Sequence, residues 1–244
     1  KQKIMGIIVK KLYKLGLSHN KKVFFQNQDD MSLFLKNKLM KNRSRAVLVN
    51  GSGVDVEYFN YSPPVCSPIT FLIIARLLRE KGVLEFCEAA KNIKKNNPNI
   101  NFNLIGWSDK GPSSIDQSYI KELHERRIIN FLGIKNDVRP YLKESSVYVL
   151  PSYRERIPRT VLEAMAVGRP IITTFAPGCK ETVSQGENGY LIPIKDVKEL
   201  EQKMNNFIFN KQLIKTMGIK SREKVVKEFN VHNVNKVFLE EMSL

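Results

Sequence analysis

The stretch PSYRERIPRTVLEAMAVGRPIITT, Pro151–Thr174, passes from the end of an apolar strand through a short polar turn into a helix and then into a second apolar strand. Two carboxylates, Glu155 and Glu163, bracket the helix start with seven residues between them. Pro158 suits the first helical position, where its fixed φ fits and its missing N–H is no loss. The backbone N–H groups of Arg159 and Thr160 then point out of the helix start, which favours an anion by about 0.3–1 kcal/mol and makes a seat for a phosphate. A phosphate seat between two acceptor side chains points to a sugar nucleotide.

Working outward, ITFLIIA, INFNLIG, IINFLG, VYVLP and PIITT are β-rich runs separated by segments of helical period or charge from Ile69 onward. Such alternation predicts an α/β fold, a parallel sheet with helices on both faces. Ligands of these sheets bind beyond the carboxyl ends of the strands. Arg76, Gly106, Gly133, Glu155 and Thr174 follow the five runs in turn, so five strand ends should converge on one rim. Upstream, KKVFFQN and RAVLVN read as two further strands around a helix at Asp29–Leu39, and the prolines of YFNYSPPVCSP mark a boundary near residues 60–68. Downstream, Asp196 to Phe229 has helical period with Gly218 as its main breaker, and a last helix is expected at Val231–Met242.

The chain has 244 residues, enough for one large domain or one and a half, and a real core is expected. No apolar run approaches the roughly 18–20 residues needed to span a bilayer. A formal net charge of +16 attracts polyanions. Aromatic residues are not interleaved with the Lys runs and no groove-reading motif occurs, so nucleic acid is not expected as a partner. The Lys-rich first 22 residues form either an ordinary helix packed on the strand at Val23, the preferred reading, or an amphipathic helix lying on an anionic membrane surface. Cys66, Cys87 and Cys179 lack metal spacing and read as reduced thiols of a cytoplasmic protein, and no metal site is expected. Cys179 and His124 lack a third partner and are expected to be structural or incidental. Trp107, after Gly106, either lines the cleft or packs.

RLLREKG (Arg76–Gly82), FLGIKNDV (Phe131–Val138), the stretch from Pro151, APGCKETV and ENGYLIP together resemble the C-terminal half of family 4 retaining glycosyltransferases of the GT-B fold. Within that family the likeness is greatest to bacterial enzymes acting on polyprenyl-diphosphate-linked sugars. The resemblance implies two Rossmann-like domains facing a cleft. Here it implies a remnant of the acceptor-side domain over 1–59, a linker over 60–68, a donor-binding domain over 69–229 and a C-terminal helix over 230–244 packing back on the N-terminal part. The Gly-rich loop and acceptor-side histidine of the first domain have no counterpart upstream of Val47, so the rest of that domain is an expected partner.

The same resemblance implies roles. Arg76 and Lys81 would hold the donor diphosphate and stabilise the charge building on it, without a metal or cofactor. Glu155 would accept hydrogen bonds from the donor sugar beside the reacting carbon. Glu163 would bind the ribose, the backbone at Ile134 would read the base, and Ile157, Arg159 and Thr160 would line the donor between the carboxylates. The donor is expected to be a nucleoside-diphosphate sugar, UDP favoured, with an N-acetylhexosamine among the sugars it would carry, and the acceptor lipid-linked or an oligosaccharide of cell-surface polysaccharide synthesis. The alternative is a non-catalytic nucleotide-sugar-binding module. Arg156 stands where the family usually has Gly, which permits φ > 0 or close backbone approach; either the turn differs here or the donor site is impaired, and weakened donor use is expected.

Overall fold

The computed structural model describes residues 2–40, 42–108 and 111–242. Lys1, Lys41, Asp109, Lys110, Ser243 and Leu244 lie outside it, the last two ending the expected 230–244 segment. Helix α1 (Gln2–Ser18) leads into β1 (Val23–Phe25), α2 (Gln28–Lys36) and β2 (Ala46–Leu48). β1 and β2 pair in parallel, Phe24 opposite Val47, as a small two-stranded sheet. Phe25, Met31 and Met40 form its own apolar cluster.

The larger sheet contains β3 (Thr70–Ile74), β4 (Asn101–Ile105), β5 (Asn130–Gly133), β6 (Val147–Leu150), β7 (Ile171–Thr174) and β8 (Gly189–Ile192). Its order is β5-β4-β3-β6-β7-β8, all parallel. All five expected strands are present, and β8, within ENGYLIP, is a sixth that the alternation of runs did not announce. Central strands β3, β6 and β7 are buried at every position because helices cover both faces, whereas the edge strand β5 is half-buried throughout. That is why the central runs are continuously apolar instead of alternating. Fully burying a side chain such as Phe71 contributes roughly 1.5–3 kcal/mol; Phe71 stacks on Phe102 at 5.4 Å and Phe86 meets Phe102 edge-on at 5.9 Å.

The connecting helices are α3 (Val83–Asn96), α4 (Gln117–Glu125), α5 (Arg139–Glu144) and α6 (Arg159–Val167); α7 (Val197–Phe209), α8 (Gln212–Glu228) and α9 (Val231–Met242) follow β8. α3 packs with α7, and α6 with both α5 and α8. Gly218 breaks nothing: it lies inside α8, where a Cβ would collide with the Gly168 carbonyl, and so lets α8 approach the end of α6. The proline-rich segment is pinned to this face. Ser62 N–H donates to the Val167 carbonyl at 3.1 Å, and the fully buried Arg169 donates to the carbonyls of Ser62, Lys143, Ser145 and Val167. α9 returns to the small sheet, where Phe238 stands 4.7 Å from Phe24 and Glu241 pairs with Lys22 at 2.6 Å.

α1 touches α2 through the ring edge of Tyr13 at Phe34 and through Lys10 Nζ at Asn37 Oδ1. Met5, Ile8, Leu12 and Leu15 remain exposed on it. No described helix is long and apolar enough to cross a membrane.

Candidate functional site at the carboxyl rim of β3 and β6

In the order β5-β4-β3-β6-β7-β8 the chain leaves β3 in one direction and β6 in the other, so a crevice opens between their carboxyl ends. The loops there are drawn together by backbone. Residues Arg79–Lys81 form a 3-10 turn closed by Gly82 at φ 71°. A Cβ on Gly82 would overlap the Pro151 carbonyl oxygen, so only glycine lets the turn after β3 press on the end of β6. The Glu80 carbonyl accepts from Ser152 Oγ and from Tyr153 N–H, both at 2.9 Å. This brings Lys81 Nζ to 2.6 Å from Glu155 Oε1, with the two side chains only 19% and 14% exposed. The Glu155 N–H donates to Pro177 O at 2.9 Å, and Gly178 is another place where a Cβ has no room, against the carbonyls of Glu155 and Arg156.

Pro158 sits one position earlier than expected. It is the N-cap of α6, with φ −72° and ψ 113°, and Arg159 is the first helical residue. Its carbonyl accepts from the N–H groups of Val161 and Leu162, at 3.1 and 3.2 Å, and the N–H groups of Arg159 and Thr160 precede those first backbone bonds. One turn on, Glu163 is 7% exposed, and its Oε1 accepts from Arg159 Nε at 3.1 Å. Burial holds the Glu163 carboxyl above the usual carboxylate range, and the Arg159 guanidinium offsets this only in part. Beneath the rim, the fully buried Tyr148 donates its hydroxyl to Ile74 O at 3.2 Å and ties β6 to β3.

Of the residues singled out in the sequence, Lys81 and Glu155 meet each other, and Arg159 meets Glu163. Arg76 follows β3 and is exposed. Ile134, just past Gly133 at φ 68°, is 66% exposed beyond β5. Gly106 N–H donates to Gly133 O at 3.0 Å, and Leu77 N–H to Trp107 O at 2.8 Å, which levels the rims of β3, β4 and β5. Ile157 is 8% exposed and faces Gly51, where a Cβ would come within 2.8 Å of its Cβ, so its side chain serves packing. Trp107 is 47% exposed. His124 Nδ1 accepts from Phe131 N–H at 3.3 Å, a structural link between α4 and β5. Cys179 is buried, and burial pushes its thiol up to about 11, so it is no thiolate nucleophile at neutral pH. Arg156 is not among the described residues with positive φ, so its backbone conformation does not itself require glycine.

Asn27, Asp29 and Asp30, at the start of α2, escaped the sequence reading, although Asn-Gln-Asp-Asp before an apolar helical run is a helix-start signature. Asn27 Nδ2 donates to Arg156 O at 3.3 Å, Asp30 pairs with Arg154, and Asp29 pairs with Lys180 at 2.7 Å.

Residues 60–224 match the family model for glycosyl transferases group 1. The N,N'-diacetylbacillosaminyl-diphospho-undecaprenol α-1,3-N-acetylgalactosaminyltransferase of Campylobacter jejuni is 27% identical over 87% of this chain and 58% of its own length. The UDP-Gal:α-D-GlcNAc-diphosphoundecaprenol α-1,3-galactosyltransferase of Escherichia coli is 26% identical over 95% of this chain and 62% of its own length. The chain thus spans about three fifths of these relatives. The crystal structure of Anabaena HepE with UDP superposes with a TM-score of 0.82 at 23% identity, over 95% of this chain and 66% of that one, and shows the same fold. With more than half of its length inside the family model, the chain belongs to the glycosyl transferases of group 1.

Proposed function

We propose that this chain carries the donor-binding half of a retaining glycosyltransferase, in which residues 69–229 hold a nucleoside-diphosphate sugar and residues 1–59 belong to the acceptor side. The observation that carries the reading is the Lys81–Glu155 pair at the β3/β6 crevice, beside the start of α6 and the buried Glu163. Arg76, Lys81 and the N–H groups of Arg159 and Thr160 hold the diphosphate, where fixed donors favour the charge that builds as it leaves. The Glu155 carboxylate accepts from the sugar hydroxyls, Glu163 accepts from the ribose, and the backbone at Ile134 faces the base. The acceptor hydroxyl attacks the anomeric carbon from the face that the diphosphate leaves. The diphosphate takes the proton, so configuration is retained.

UDP is the favoured nucleotide, since UDP appears in the E. coli relative's name and in the Anabaena structure. A polyprenyl-diphosphate-linked sugar is the favoured acceptor, because both relatives are named for such substrates. The enzyme then works at the cytoplasmic face of a membrane in surface-polysaccharide synthesis, in peripheral contact with anionic lipid through the basic N-terminal segment.

Calorimetry with UDP, GDP, UDP-galactose and UDP-N-acetylglucosamine tests the donor reading, beside transfer to polyprenyl-diphosphate-N-acetylglucosamine. Binding of a UDP-sugar that is lost in Glu163→Gln and Lys81→Met supports it. Failure of every nucleotide to bind refutes it, and binding without transfer marks the chain as a donor module.

A further inference from the structure

The start of α2 reaches across to the loop that carries Glu155 at three points. Asn27 is 1% exposed, and its two side-chain atoms do different work. Oδ1 accepts from Asp30 N–H at 2.8 Å and caps α2, while Nδ2 donates to Asp30 Oδ2 at 2.9 Å and to Arg156 O at 3.3 Å. Asp30, oriented by that bond, pairs with Arg154. Asp29 pairs with Lys180 at 2.7 Å, three residues beyond Pro177, whose carbonyl holds the Glu155 N–H. Arg154 and Arg156 flank Glu155 in sequence. The Glu155 peptide is therefore held on one side by its own domain and on the other by the N-terminal unit.

We infer that Asn27, Asp29 and Asp30 form a clasp that fixes the Glu155 loop, making Asn27 and Asp30 positioning residues for recognition of the donor sugar. The inference rests on the donor reading above for its ligand and on geometry alone for the clasp. A carboxylate reads hydroxyls only when its backbone is fixed, and here part of that fixing comes from the other side of the cleft. Separating the two units frees Arg154, Lys180 and the Arg156 carbonyl together, so sugar reading is coupled to closure. The clasp also accommodates Arg156: the backbone carbonyl, which any residue supplies, makes the contact with Asn27.

The test uses the full chain and four variants: Asp30→Arg, Arg154→Asp, their combination, and Asn27→Ser. Serine keeps an oxygen for the helix cap but has no N–H to offer Arg156 O. Amide exchange of residues 153–157, measured without ligand, is expected to quicken about fivefold in each single variant and to recover in part in the charge-swapped pair, which restores the ion pair but not the acceptor for Asn27 Nδ2. In calorimetry, the preference for UDP-galactose or UDP-N-acetylglucosamine over UDP is expected to fall by about fivefold in the single variants, with UDP affinity within about twofold. Unchanged exchange, a swap that restores nothing, or full protection in Asn27→Ser overturns the clasp. Faster exchange with an unchanged sugar preference overturns the positioning role. If the parent chain binds neither UDP nor a UDP-sugar, the donor reading falls, and the exchange experiment alone decides the clasp.

Discussion

Lys81 and Glu155 offer a direct measure of how the crevice is held. At 2.6 Å and an effective dielectric constant near 20, the gross attraction is about 6 kcal/mol. Most of it is returned as desolvation, because the side chains are only 19% and 14% exposed. Exposed pairs couple by about 0.2–1 kcal/mol, and removing one partner of a fully buried pair costs about 3–5 kcal/mol. This pair lies between, so a coupling of about 2 kcal/mol is expected. Lys81→Met keeps the aliphatic stem and Glu155→Gln keeps the shape, so each leaves one uncompensated charge in a confined space. Each single variant should lower Tm by about 4–8 °C, since 1 kcal/mol moves Tm by about 2–4 °C in a chain of this length.

The double variant should lose about 2 kcal/mol less than the sum of the singles, read from urea unfolding of all four proteins. Additivity within about 0.5 kcal/mol would refute the reasoning, because the pair would then be a geometric coincidence without energetic content. The same proteins test the donor role. The Lys81 ammonium has three donors and is able to keep Glu155 while taking a phosphate oxygen. UDP at about 100 times its Kd should stabilise the parent by about 2.7 kcal/mol, and Lys81→Met should lose most of that gain.

Glu163 has a carboxyl raised by burial from its ordinary 4.5, so the folded chain holds that proton more tightly than the unfolded chain. Its contribution to stability is fully present below pH 4.5 and is lost as pH rises through the folded value; Glu163→Gln should therefore raise Tm at pH 7, with the gap closing below about pH 4. In the same variant UDP affinity should fall by about tenfold or more, because a charged acceptor is replaced by a neutral one. Gly106→Ala puts a Cβ into the Ala75 carbonyl, so β3 and β4 must part at the rim; a loss of about 1–3 kcal/mol is expected in urea unfolding. Arg156→Gly relieves no backbone strain and frees the unfolded chain, so Tm should fall by about 1–4 °C, and a rise would restore the argument for a glycine-requiring turn.

How much was legible depended on whether the information was local. The central strands were readable because burial on both faces makes Ile69–Ala75, Val147–Pro151 and Pro170–Thr174 largely apolar and β-branched, with Thr70, Thr173 and Thr174 buried among them. The start of α6 was readable to one residue, since a proline suits both the N-cap and the first turn. β8 was missed because it begins at Gly189, which lacks a side chain so that its backbone can press on Ile171, and this leaves only Tyr190–Ile192 as an apolar run. The contacts of α2 with the Glu155 loop were not readable at all. Asp30 and Arg154 are 124 residues apart, and neither residue carries a periodic mark of the other. The backbone conformation at Arg156 was not readable for a related reason: a motif fixes which residue usually stands at a position, whereas the surroundings of that backbone, Asn27 Nδ2 at its carbonyl and Gly178 against it, come from distant parts of the chain.

The net charge of +16 is distributed in a way that separates the two halves of the proposed enzyme. Residues 1–45 contain twelve Lys and Arg against two Asp, a net +10 of the chain's +16. Both of those aspartates face the donor unit, paired with Lys180 and Arg154. At the crevice, by contrast, Lys81 is matched by Glu155 and Arg159 by Glu163. In the donor reading proposed above, the nucleotide meets short-range, directional donors, whereas most of the net charge lies in the N-terminal segment with its exposed apolar helix α1. The two should respond differently to salt. Raising ionic strength from 0.1 to 1 M shortens the screening length from about 10 to 3 Å. With roughly 1 kcal/mol per basic residue near an anionic surface, binding to phosphatidylglycerol vesicles should fall by more than about a hundredfold, while UDP affinity stays within about threefold. Co-sedimentation and calorimetry on one preparation measure both. Equal salt dependence of the two would refute the division, for it would mean that the same field draws the nucleotide and the membrane.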